Sequence, residues 1–540
     1  MTKSVTVISL VCSILLCGFG CGGKKPVYPS SPNDAKEGSF VSEVRPFEIG
    51  SEKYDADFGT ITVRENRNKP TSRLINLPFL RIHSHSKDPA EPIFGFAGGP
   101  GATNVRWDWG KARTFLPEHD FVLVGYRGVD GSTVLDCPEV SEAFKSGADP
   151  LSDESMRRAG NAFSAGAKRL ESQGIDLDGY TMLEVIEDNE SVRNAMKYER
   201  INLLSESYGT RLAYLYGLKH PGRIHRSAMI SVNPPGRFVW EPQIVDAQLK
   251  QYACLWSKDS AMALKSPNLY ASMKSVLDSM PRSWLLFSIN PGKVKIVTFA
   301  LLFHRTTAAM VFDTYVAAKR GDPSGLALMS MAYNFTVPSA ANWGDEASKG
   351  VSADYDSSRN YAAEMEPPGL PLGSPMSKAI WGPASYAHWP TKMLPDEYRT
   401  LRSSDVETLL LSGSIDFSTP SENATKELLP YLKKGQQVIF SECGHVNDMW
   451  YANVENTRRI LTSFYNTGVA DRSLNSYVPM DFKIGWGFPR IAKAALGGVA
   501  FLAVALVAVV VWLVRRHRRR RGLEKIAVAT YLCFGFHILR

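Results

Sequence analysis

The stretch "INLLSESYGTRLAYLYG", residues 201–217, changes from a short apolar strand pattern to a helical pattern within a few residues. The turn between the two patterns, "SESYG", has Ser207 at its centre and the small residues Ser205 and Gly209 two positions to either side. Small residues at these positions let a strand turn sharply into a helix, so that the serine hydroxyl leaves the sheet and faces the helix N-terminus. The stretch therefore predicts an exposed, nucleophilic Ser207. The alternative is that Ser207 only caps the helix.

Short apolar runs and helical patterns alternate on both sides of this turn. The runs "EPIFGFAGGPG", "DFVLVGYRG" and "RINLLSES" each contain or end in Gly or Ser, and a helical pattern covers residues 180–198. Two earlier runs, "FGTITVREN" and "RLINLPFLRIHS", have the alternation typical of antiparallel strands. Strands that alternate with helices indicate an α/β fold with a mostly parallel sheet and helices on both faces.

The alternation is interrupted after residue 237. Residues 238–400 are rich in Met, Trp, Tyr and Pro and show amphipathic helical stretches, and the strand pattern resumes with "VETLLLSGSIDFSTP". We therefore predict a core in two parts, residues 46–237 and 401–466, with a mainly helical cap domain inserted between them.

Both ends of the sequence carry membrane signals. At the N-terminus, a short positive region followed by an apolar run predicts a signal peptide over residues 1–21. It is of the lipoprotein type if Cys21 is the processing site, and the alternative is simple cleavage nearby. Residues 22–45, rich in Gly, Pro, Ser and Lys, are predicted to be a linker.

The second apolar segment, Ala494–Val514, holds 21 uncharged residues and is long enough to cross about 30 Å of hydrocarbon. The run "RRHRRRR" follows at once, and such clusters stay on the cytoplasmic side. We predict a juxtamembrane linker over 467–490, a transmembrane helix over 491–514 and a basic cytoplasmic tail over 515–540. The folded part of the chain is then exported and anchored in the cell membrane, on its extracytoplasmic side.

The distribution of charge argues against a nucleic-acid partner. Residues 515–540 hold seven Arg and one Lys against one Glu, which accounts for nearly all of the formal net charge of +8. The rest of the chain is close to neutral, so we expect no basic groove for nucleic acid. In this position the Arg run is read as a topology signal in preference to a nuclear or nucleic-acid patch.

Three cysteines, Cys137, Cys254 and Cys443, lie in the part predicted to be exported. A disulfide between Cys137 and Cys254 is compatible with an oxidising compartment. The sequence permits this pairing and does not establish it.

A serine hydroxyl becomes a strong nucleophile only when a base removes its proton, and that base needs an orienting acid. Asp416, in "LSGSIDFSTP", comes just after an apolar strand pattern, where a loop can present a carboxylate at the sheet edge. His445, in "SECGHVND", follows the next such pattern 29 residues later. A lone histidine after a strand is more often structural. The order Ser207, Asp416, His445, each at a strand end, favours a catalytic triad.

The glycine-rich stretch "GFAGGPGATN" ends a strand pattern upstream of the turn. Backbone amides in such a loop can approach a substrate carbonyl and stabilise an oxyanion, so we predict that the amides of Tyr208 and Gly101, or of the neighbouring Gly99, form the oxyanion hole. A phosphate-binding loop is the alternative, but no Gly-Lys-Ser/Thr follows these glycines.

The motifs "GGPG", "YRGVDGS", "SESYGT", "GSIDFSTP" and "CGH", spread over about residues 50–465, resemble those of the prolyl and tripeptidyl aminopeptidase family of α/β hydrolases. The resemblance implies an α/β-hydrolase fold and a peptide substrate. It also implies that Ser207 is the nucleophile, His445 the base and Asp416 the residue that orients it. No metal or organic cofactor is expected for this chemistry.

The sequence departs from the family pattern at several positions. Gly125 stands where the family usually has Asp, so we expect Arg127 to lack one of its usual partners. Ser205 replaces a Gly, which the turn tolerates. Trp343 and Tyr386 stand where secreted relatives often have cysteines, which suggests aromatic packing in place of a disulfide.

An aminopeptidase must desolvate the free ammonium of its substrate, and a positioned carboxylate offsets that cost. We expect Asp345 in the cap to bind this group, with Glu346 behind it, and Glu206 beside the nucleophile is a further candidate. The alternative is that all three are solvated surface acids.

These features together predict a membrane-tethered, exported serine hydrolase that cleaves peptides near the N-terminus through an acyl-enzyme. A triad does not distinguish esters from amides, so an esterase or lipase-like hydrolase is a second hypothesis. A third is a catalytically silent hydrolase fold that serves as a surface module. Nothing in the sequence indicates the oligomeric state.

Overall fold

The computed structural model describes residues 26–474 and 477–535, so the predicted signal peptide (1–21) and Cys21 lie outside the described residues. Within these ranges the main sheet has nine strands. They are β1 (Phe40–Ile49), β2 (Glu52–Arg64), β3 (Leu74–Ile82), β4 (Ala90–Phe96), β5 (His119–Val124), β6 (Ile201–Glu206), β7 (Ile224–Ile230), β8 (Glu407–Gly413) and β9 (Gly435–Phe440).

The strand order across the sheet is β1-β2-β3-β5-β4-β6-β7-β8-β9. Strands β4 to β9 are mutually parallel, and β1, β2 and β3 extend the sheet in antiparallel fashion from the β5 edge. The predicted antiparallel pair and the mostly parallel sheet are both present. The carboxyl ends of β4, β6, β7 and β8 therefore meet at one edge, where loops can bring distant residues together.

The helices lie between these strands and after β9. They are α1 (Trp109–Ala112), α2 (Pro138–Phe144), α3 (Asp153–Ser172), α4 (Met182–Ala195), α5 (Tyr208–Lys219), α6 (Pro242–Lys258), α7 (Ser260–Lys265), α8 (Leu269–Asp278), α9 (Pro291–Leu301), α10 (Arg305–Lys319), α11 (Ser324–Thr336), α12 (Trp343–Asp354), α13 (Tyr361–Glu364), α14 (Pro375–Trp381), α15 (Asp396–Arg399), α16 (Asn447–Ala452), α17 (Val454–Thr467) and α18 (Phe488–Gly535). Shorter turns are the π-helix Asn423–Leu428 and the 3-10 helices Leu177–Gly179, Pro221–Arg223, Val337–Ser339, Gly382–Tyr386 and Leu429–Tyr431.

Helices cover both faces of the parallel sheet because its strands are apolar on both sides. All six residues of β5, "HDFVLV", are buried. Val122 and Val124 pack in one cluster with α4 and α5, whereas Phe121 and Leu123 pack in another with α16 and α17. Continuous apolar runs of this kind are typical of parallel strands buried on both faces.

Helices α6 to α15 lie between β7 and β8 in the chain and have a hydrophobic cluster of their own, which includes Tyr252, Trp256, Phe299 and Phe312. A two-stranded hairpin, Ser283–Trp284 with Phe287–Ser288, is also part of this region. The region spans the segment predicted as the cap, and its secondary structure is mainly helical.

The segment predicted as a juxtamembrane linker, 467–490, packs onto this helical region. Met480, Phe482 and Phe488 are buried in the same cluster, and the Phe482 ring lies 5.3 Å from the ring of Trp256. Burial of these apolar side chains stabilises the docked position of the segment. The segment therefore does not serve as a free spacer. The sequence pattern missed this because the aromatic partners of Phe482, Phe312 and Trp256, are 170 and 226 residues away along the chain.

Helix α18 follows directly and is 48 residues long. Its apolar part, Phe488–His517, contains an 18-residue window with a mean hydropathy of 2.7 and is long enough to cross a membrane. It begins three residues before the predicted span of 491–514 and continues into the predicted basic tail. The helix continues because Arg, Lys, Leu and Ala all have high helix propensity.

Gly125 offers Arg127 no carboxylate, as expected, but other groups satisfy the arginine. Its guanidinium binds both carboxylate oxygens of Asp188 at 2.6 Å and donates to the carbonyls of Glu65 and Gly179 at 2.5 and 2.6 Å. A side chain at Gly125 has no room, because a Cβ there would lie 2.7 Å from the Cβ of Asp130. The partner of the arginine thus comes from α4.

Cys137, Cys254 and Cys443 are all free thiols, and no disulfide joins them in the described part of the chain. Cys137 and Cys443 are buried, whereas Cys254 is exposed on α6. The Cys137–Cys254 pairing that the sequence permits is therefore not present in this structure.

Trp343 and Tyr386, at which aromatic packing was expected in place of a disulfide, pack against different neighbours. The Trp343 ring makes an edge contact with Phe144 at 4.9 Å between centroids. The Tyr386 ring instead faces the guanidinium of Arg157 at 5.5 Å. Aromatic packing occurs at both positions, without a direct ring contact between them.

We predict that Arg127→Met destabilises the protein by about 3 kcal/mol, because it leaves Asp188 buried without its bidentate partner. Arg67 still contacts Asp188 at 2.7 Å, which limits the loss. Urea unfolding of the full-length protein in detergent measures the change. The control Arg113→Met removes a half-exposed pair and should cost less than about 1 kcal/mol. Equal unfolding midpoints for the two variants would contradict the stabilising role of the Arg127–Asp188 pair.

Candidate active site

Strand β6 turns into α5 at Ser207, which has φ +52° and ψ −120°. A non-glycine residue in this region is strained, and such strain is common at functional sites. The turn is fixed by the Ser207 amide, which donates to the Ile230 carbonyl at 2.9 Å. Gly209 is required, because a Cβ there would lie 2.1 Å from the Phe96 carbonyl oxygen. Ser205 is fully buried, and its hydroxyl donates to the Ala228 carbonyl at 3.1 Å.

Asp416 follows β8 and has no exposed surface. Its carboxylate accepts hydrogen bonds from the amides of Ser418 and Thr419 at 2.9 and 2.8 Å, and from the Thr419 hydroxyl at 2.8 Å. Nδ1 of His445 lies 3.0 Å from both carboxylate oxygens. Burial opposes ionisation, but the neighbouring His445 and these hydrogen bonds hold the pKa of Asp416 below its usual value. A carboxylate in this position keeps a proton on Nδ1 and leaves Nε2 as the basic nitrogen.

The loops that carry Ser207 and His445 meet at the end of β7. The Ser207 amide binds the Ile230 carbonyl, and the amide of Val446 binds the hydroxyl of the next residue, Ser231, at 2.8 Å. The described residues contain no hydrogen bond between the Ser207 hydroxyl and His445. In catalytic sites this contact often tightens only around the substrate. The structure therefore brings Ser207, Asp416 and His445 to one edge of the sheet, with the acid and the imidazole already paired.

The glycine-rich loop after β4 passes directly over Ser207, since a Cβ at Gly98 would lie 2.9 Å from the Cβ of Ser207. Gly99 and Tyr208 line the same cavity as Ser207. The amide of Tyr208 is at the first position of α5 and has no acceptor within the helix. The Gly99 amide likewise has no acceptor among the described residues, so both amides are available to an oxyanion.

The prediction that Gly101 contributes to the oxyanion hole is wrong. Its amide donates to Oδ2 of Asp345 at 3.0 Å and points away from the cavity that Ser207 lines. Pro100 has no amide hydrogen, which leaves Gly99 as the donor that this loop can offer.

A cavity of about 230 Å³ opens beside Ser207. Aromatic and other apolar side chains form most of its wall: Phe144, Phe163, Phe238, Trp240, Phe303, Trp343, Val351, Ile380, Trp381, Pro383 and Trp389. The acidic side chain in the wall is Glu346, whose carboxyl has no hydrogen-bond partner among the described residues. Burial, and to a lesser degree the charge of Asp345, raises the pKa of Glu346 to about 8.

Asp345 is placed differently from the prediction. It has no exposed surface, and its carboxylate binds Lys349 as well as the Gly101 amide. An ammonium group in the cavity therefore has no access to it. The signal for Lys349 was present in the sequence, since residues four apart on a helix are neighbours.

Glu206 is also excluded from substrate binding by its own partners. Its Oε1 accepts hydrogen bonds from Nζ of Lys111 at 2.8 Å and from the indole Nε1 of Trp450 at 2.7 Å. This acid holds the nucleophile turn against α1 and α16 and does not line the cavity. Of the three acids predicted to bind substrate, Glu346 alone faces the cavity.

His304 lies close to His445, with 6.4 Å between the ring centroids, and the sequence pattern gave no sign of it. Burial lowers the pKa of His304 to about 4, and the charge of His445 adds to this effect. The imidazole of His304 is therefore neutral at neutral pH. Within the described residues, no group of three His, Cys, Asp or Glu side chains has the geometry of a metal site.

Comparison with known proteins supports the architecture. A family model of the alpha/beta hydrolase fold matches residues 92–260, which include the glycine-rich loop, the turn at Ser207 and strand β7. No curated protein sequence matches the chain significantly.

Solved structures with similar architecture include a serine hydrolase from Cycloclasticus zankles. It has 12% sequence identity, with 80% of this chain and 100% of that chain covered and a TM-score of 0.34. For an esterase from Exiguobacterium antarcticum the values are 15%, 75% and 98%, with a TM-score of 0.35. Similarity at this level carries no argument about activity. The parallel sheet, the helices on both of its faces and the matched family model together show that this chain has the α/β-hydrolase fold.

Proposed function

We propose that this protein is a membrane-tethered serine hydrolase that cleaves peptides near a free N-terminus. The observation that carries the proposal is the unpaired carboxyl of Glu346 in an aromatic cavity that also contains Ser207. Glu346 is partly exposed to this apolar cavity, and an acid there without a protein partner is costly to ionise unless a cationic ligand pairs with it. The free ammonium group of a peptide is such a ligand.

In this mechanism the Ser207 hydroxyl attacks the substrate carbonyl while Nε2 of His445 takes its proton. Asp416 holds the Nδ1 hydrogen and stabilises the imidazolium that forms. The amides of Gly99 and Tyr208 bind the oxyanion of the tetrahedral intermediate, and one such donor contributes about 2.7 to 4 kcal/mol. The intermediate then expels the amine, which receives the proton from His445, and leaves an acyl-enzyme. Water attacks the acyl-enzyme by the same steps and releases the acid.

Glu346 and the aromatic wall divide the work of binding. An entering ammonium favours the ionised carboxylate, so that the two charges neutralise each other inside the cavity. The indole and phenyl rings accept an apolar N-terminal side chain and can contact a cation through their faces. We therefore expect peptides with an apolar first residue to be preferred substrates.

A second candidate is an esterase that acts on small apolar acyl groups. The nearly continuous apolar wall favours it, since a neutral Glu346 carboxyl would tolerate an uncharged acyl chain. Chromogenic substrates with the same leaving group separate the two functions. Rapid turnover of acyl esters, with little turnover of aminoacyl or peptidyl anilides that have a free amine, would decide for the esterase.

The same proposal includes membrane anchoring through α18, with the catalytic region exported. Its support is the length and apolarity of Phe488–His517 and the Arg-rich residues that follow. Basic clusters next to a span remain in the cytoplasm, and the predicted signal peptide agrees with export of the rest.

We predict that a fluorophosphonate probe labels the wild-type protein and not Ser207→Ala, because the probe reacts with an activated serine hydroxyl. The variant should unfold at the same temperature, since the Ser207 hydroxyl has no partner in the described structure. Gel fluorescence and mass mapping of the labelled peptide measure the result. Labelling at another residue, or none in the wild type, would favour a non-catalytic surface module.

Glu346→Gln should lower kcat/KM for peptides with a free amine by about 30-fold, which corresponds to about 2 kcal/mol for the lost charge pair. The same variant should change turnover of N-acetylated peptides or acyl esters less than about threefold. Glu397→Gln, at an exposed acid of α15, is the matched control. An equal loss on both substrate classes would mean that Glu346 has no role in amine recognition.

Protease added to cells with permeable outer layers and a closed plasma membrane should remove the region before residue 490. A C-terminal epitope tag should survive on a short fragment, because the Arg-rich end remains in the cytoplasm. Immunoblotting for the tag measures this. Loss of the tag before detergent is added would place the C-terminus on the outer side and contradict the proposed topology.

A further inference from the structure

We propose that the buried Asp345–Lys349 pair on α12 is a positioning device that holds the oxyanion loop over Ser207. The inference rests on the proposed serine-hydrolase function, because it assigns the pair a role in the geometry of that reaction. Neither residue contacts the cavity, so both are positioning residues and act through the loop after β4.

The first turn of α12 binds both polar backbone groups of Gly101. The Gly101 amide donates to Oδ2 of Asp345 at 3.0 Å, and the Gly101 carbonyl accepts the amide of Asn342 at 2.9 Å. Gly101 has φ +78°, and a Cβ there would lie 2.7 Å from the Asn342 carbonyl oxygen. The loop and the helix are therefore packed backbone against backbone, as closely as a glycine permits.

Lys349, one helical turn later, completes this clasp. Its Nζ binds Oδ1 of Asp345 and donates to the carbonyl of Arg127 at 3.2 Å, and both charged side chains have no exposed surface. Gly128 allows the approach, since a Cβ there would lie 2.5 Å from Oδ1 of Asp345. Through two side chains, α12 thus joins the loop after β4 to the loop after β5.

The same helix carries part of the cavity wall, including Trp343, Glu346 and Gly350. Helix α12 therefore sets the distance between the Glu346 carboxyl, which binds the substrate in the proposed function, and the Gly99 amide, which binds the oxyanion. If the Asp345 anchor is lost, Gly101 keeps only its contact with the Asn342 amide, and Gly99 two residues earlier is held less tightly, whereas the part of the cavity wall on α12 is unchanged. The rate of the chemical step should then fall while substrate binding persists.

Asp345→Asn tests the clasp because both carboxylate oxygens are occupied. An asparagine has one acceptor oxygen, so when Lys349 takes it, the amide NH2 is turned toward the Gly101 N–H and the anchor is lost. In the double variant Asp345→Asn/Lys349→Met, the asparagine oxygen is free to accept the Gly101 amide, and no unpaired buried charge remains. The clasp should then be restored in a neutral form.

The experiment uses the full-length protein in detergent at a temperature where circular dichroism shows every variant folded. The readouts are the rate of fluorophosphonate labelling at Ser207, and kcat and KM on p-nitrophenyl butyrate. We expect Asp345→Asn to reduce the labelling rate and kcat at least tenfold with KM within about twofold. The double variant should recover most of that loss. If the single variant fails to fold, the double variant carries the test, and a folded double variant with a labelling rate and kcat at least tenfold below the wild type would overturn the inference.

Asp354→Asn is the matched control, because Asp354 forms another buried ion pair on α12, with Arg211, and does not contact the loop. It should lower thermal stability without the same selective loss of kcat. The inference is overturned if Asp345→Asn and its double variant label at the wild-type rate, if KM rises in step with the fall in kcat, or if Asp354→Asn gives the same kinetic pattern. A wild-type protein that is not labelled at Ser207 overturns the serine-hydrolase function itself, and the positioning role with it.

Discussion

The contact between Gly209 and the carbonyl of Phe96 is the constraint on which the candidate site depends. Because a side chain at Gly209 would overlap the Phe96 oxygen, α5 can approach the end of β4 only with glycine in that position. In the same turn Ser207 has a positive φ and lies under the glycine-rich loop. The same turn directs the free amide of Tyr208 toward the cavity. This turn therefore places Ser207 and the proposed oxyanion donor Tyr208, whereas the second proposed donor, Gly99, is placed by the loop after β4.

The charges around this turn are almost all neutralised inside the protein. Asp416 is paired with His445, Glu206 with Lys111, and Asp345 with Lys349. Such pairs are expensive to break because the remaining partner would be a buried, unpaired charge. The carboxyl of Glu346 differs from these acids, because the neighbouring charge that acts on it, that of Asp345, has the same sign and disfavours its ionisation. The distribution of partners, more than the number of acids, identifies the group that can meet a substrate.

The sequence predicted the features that depend on local pattern. The strand ends at Ser207, Asp416 and His445 could be located because apolar runs, glycines and turns are read within about ten residues, and parallel strands present their carboxyl ends together. The catalytic roles of these three residues remain a proposal. The roles of Gly101 and Glu206 could not be predicted, because their partners Asp345 and Trp450 are each 244 residues away along the chain. The docked segment around Phe482 was missed for the same reason.

The attachment of α18 to the cap has a mechanical consequence. Phe488 and Ile491 belong to the same packed core as the cap helices, so the start of the anchor is continuous with a rigid body. If α18 spans a bilayer, the cavity is held at a constant height and orientation above the membrane, whereas a flexible linker would let it rotate freely. For the proposed peptide substrates, access to the cavity would then depend on whether a free end reaches that height, and long, folded polypeptides would be sterically disadvantaged relative to short fragments.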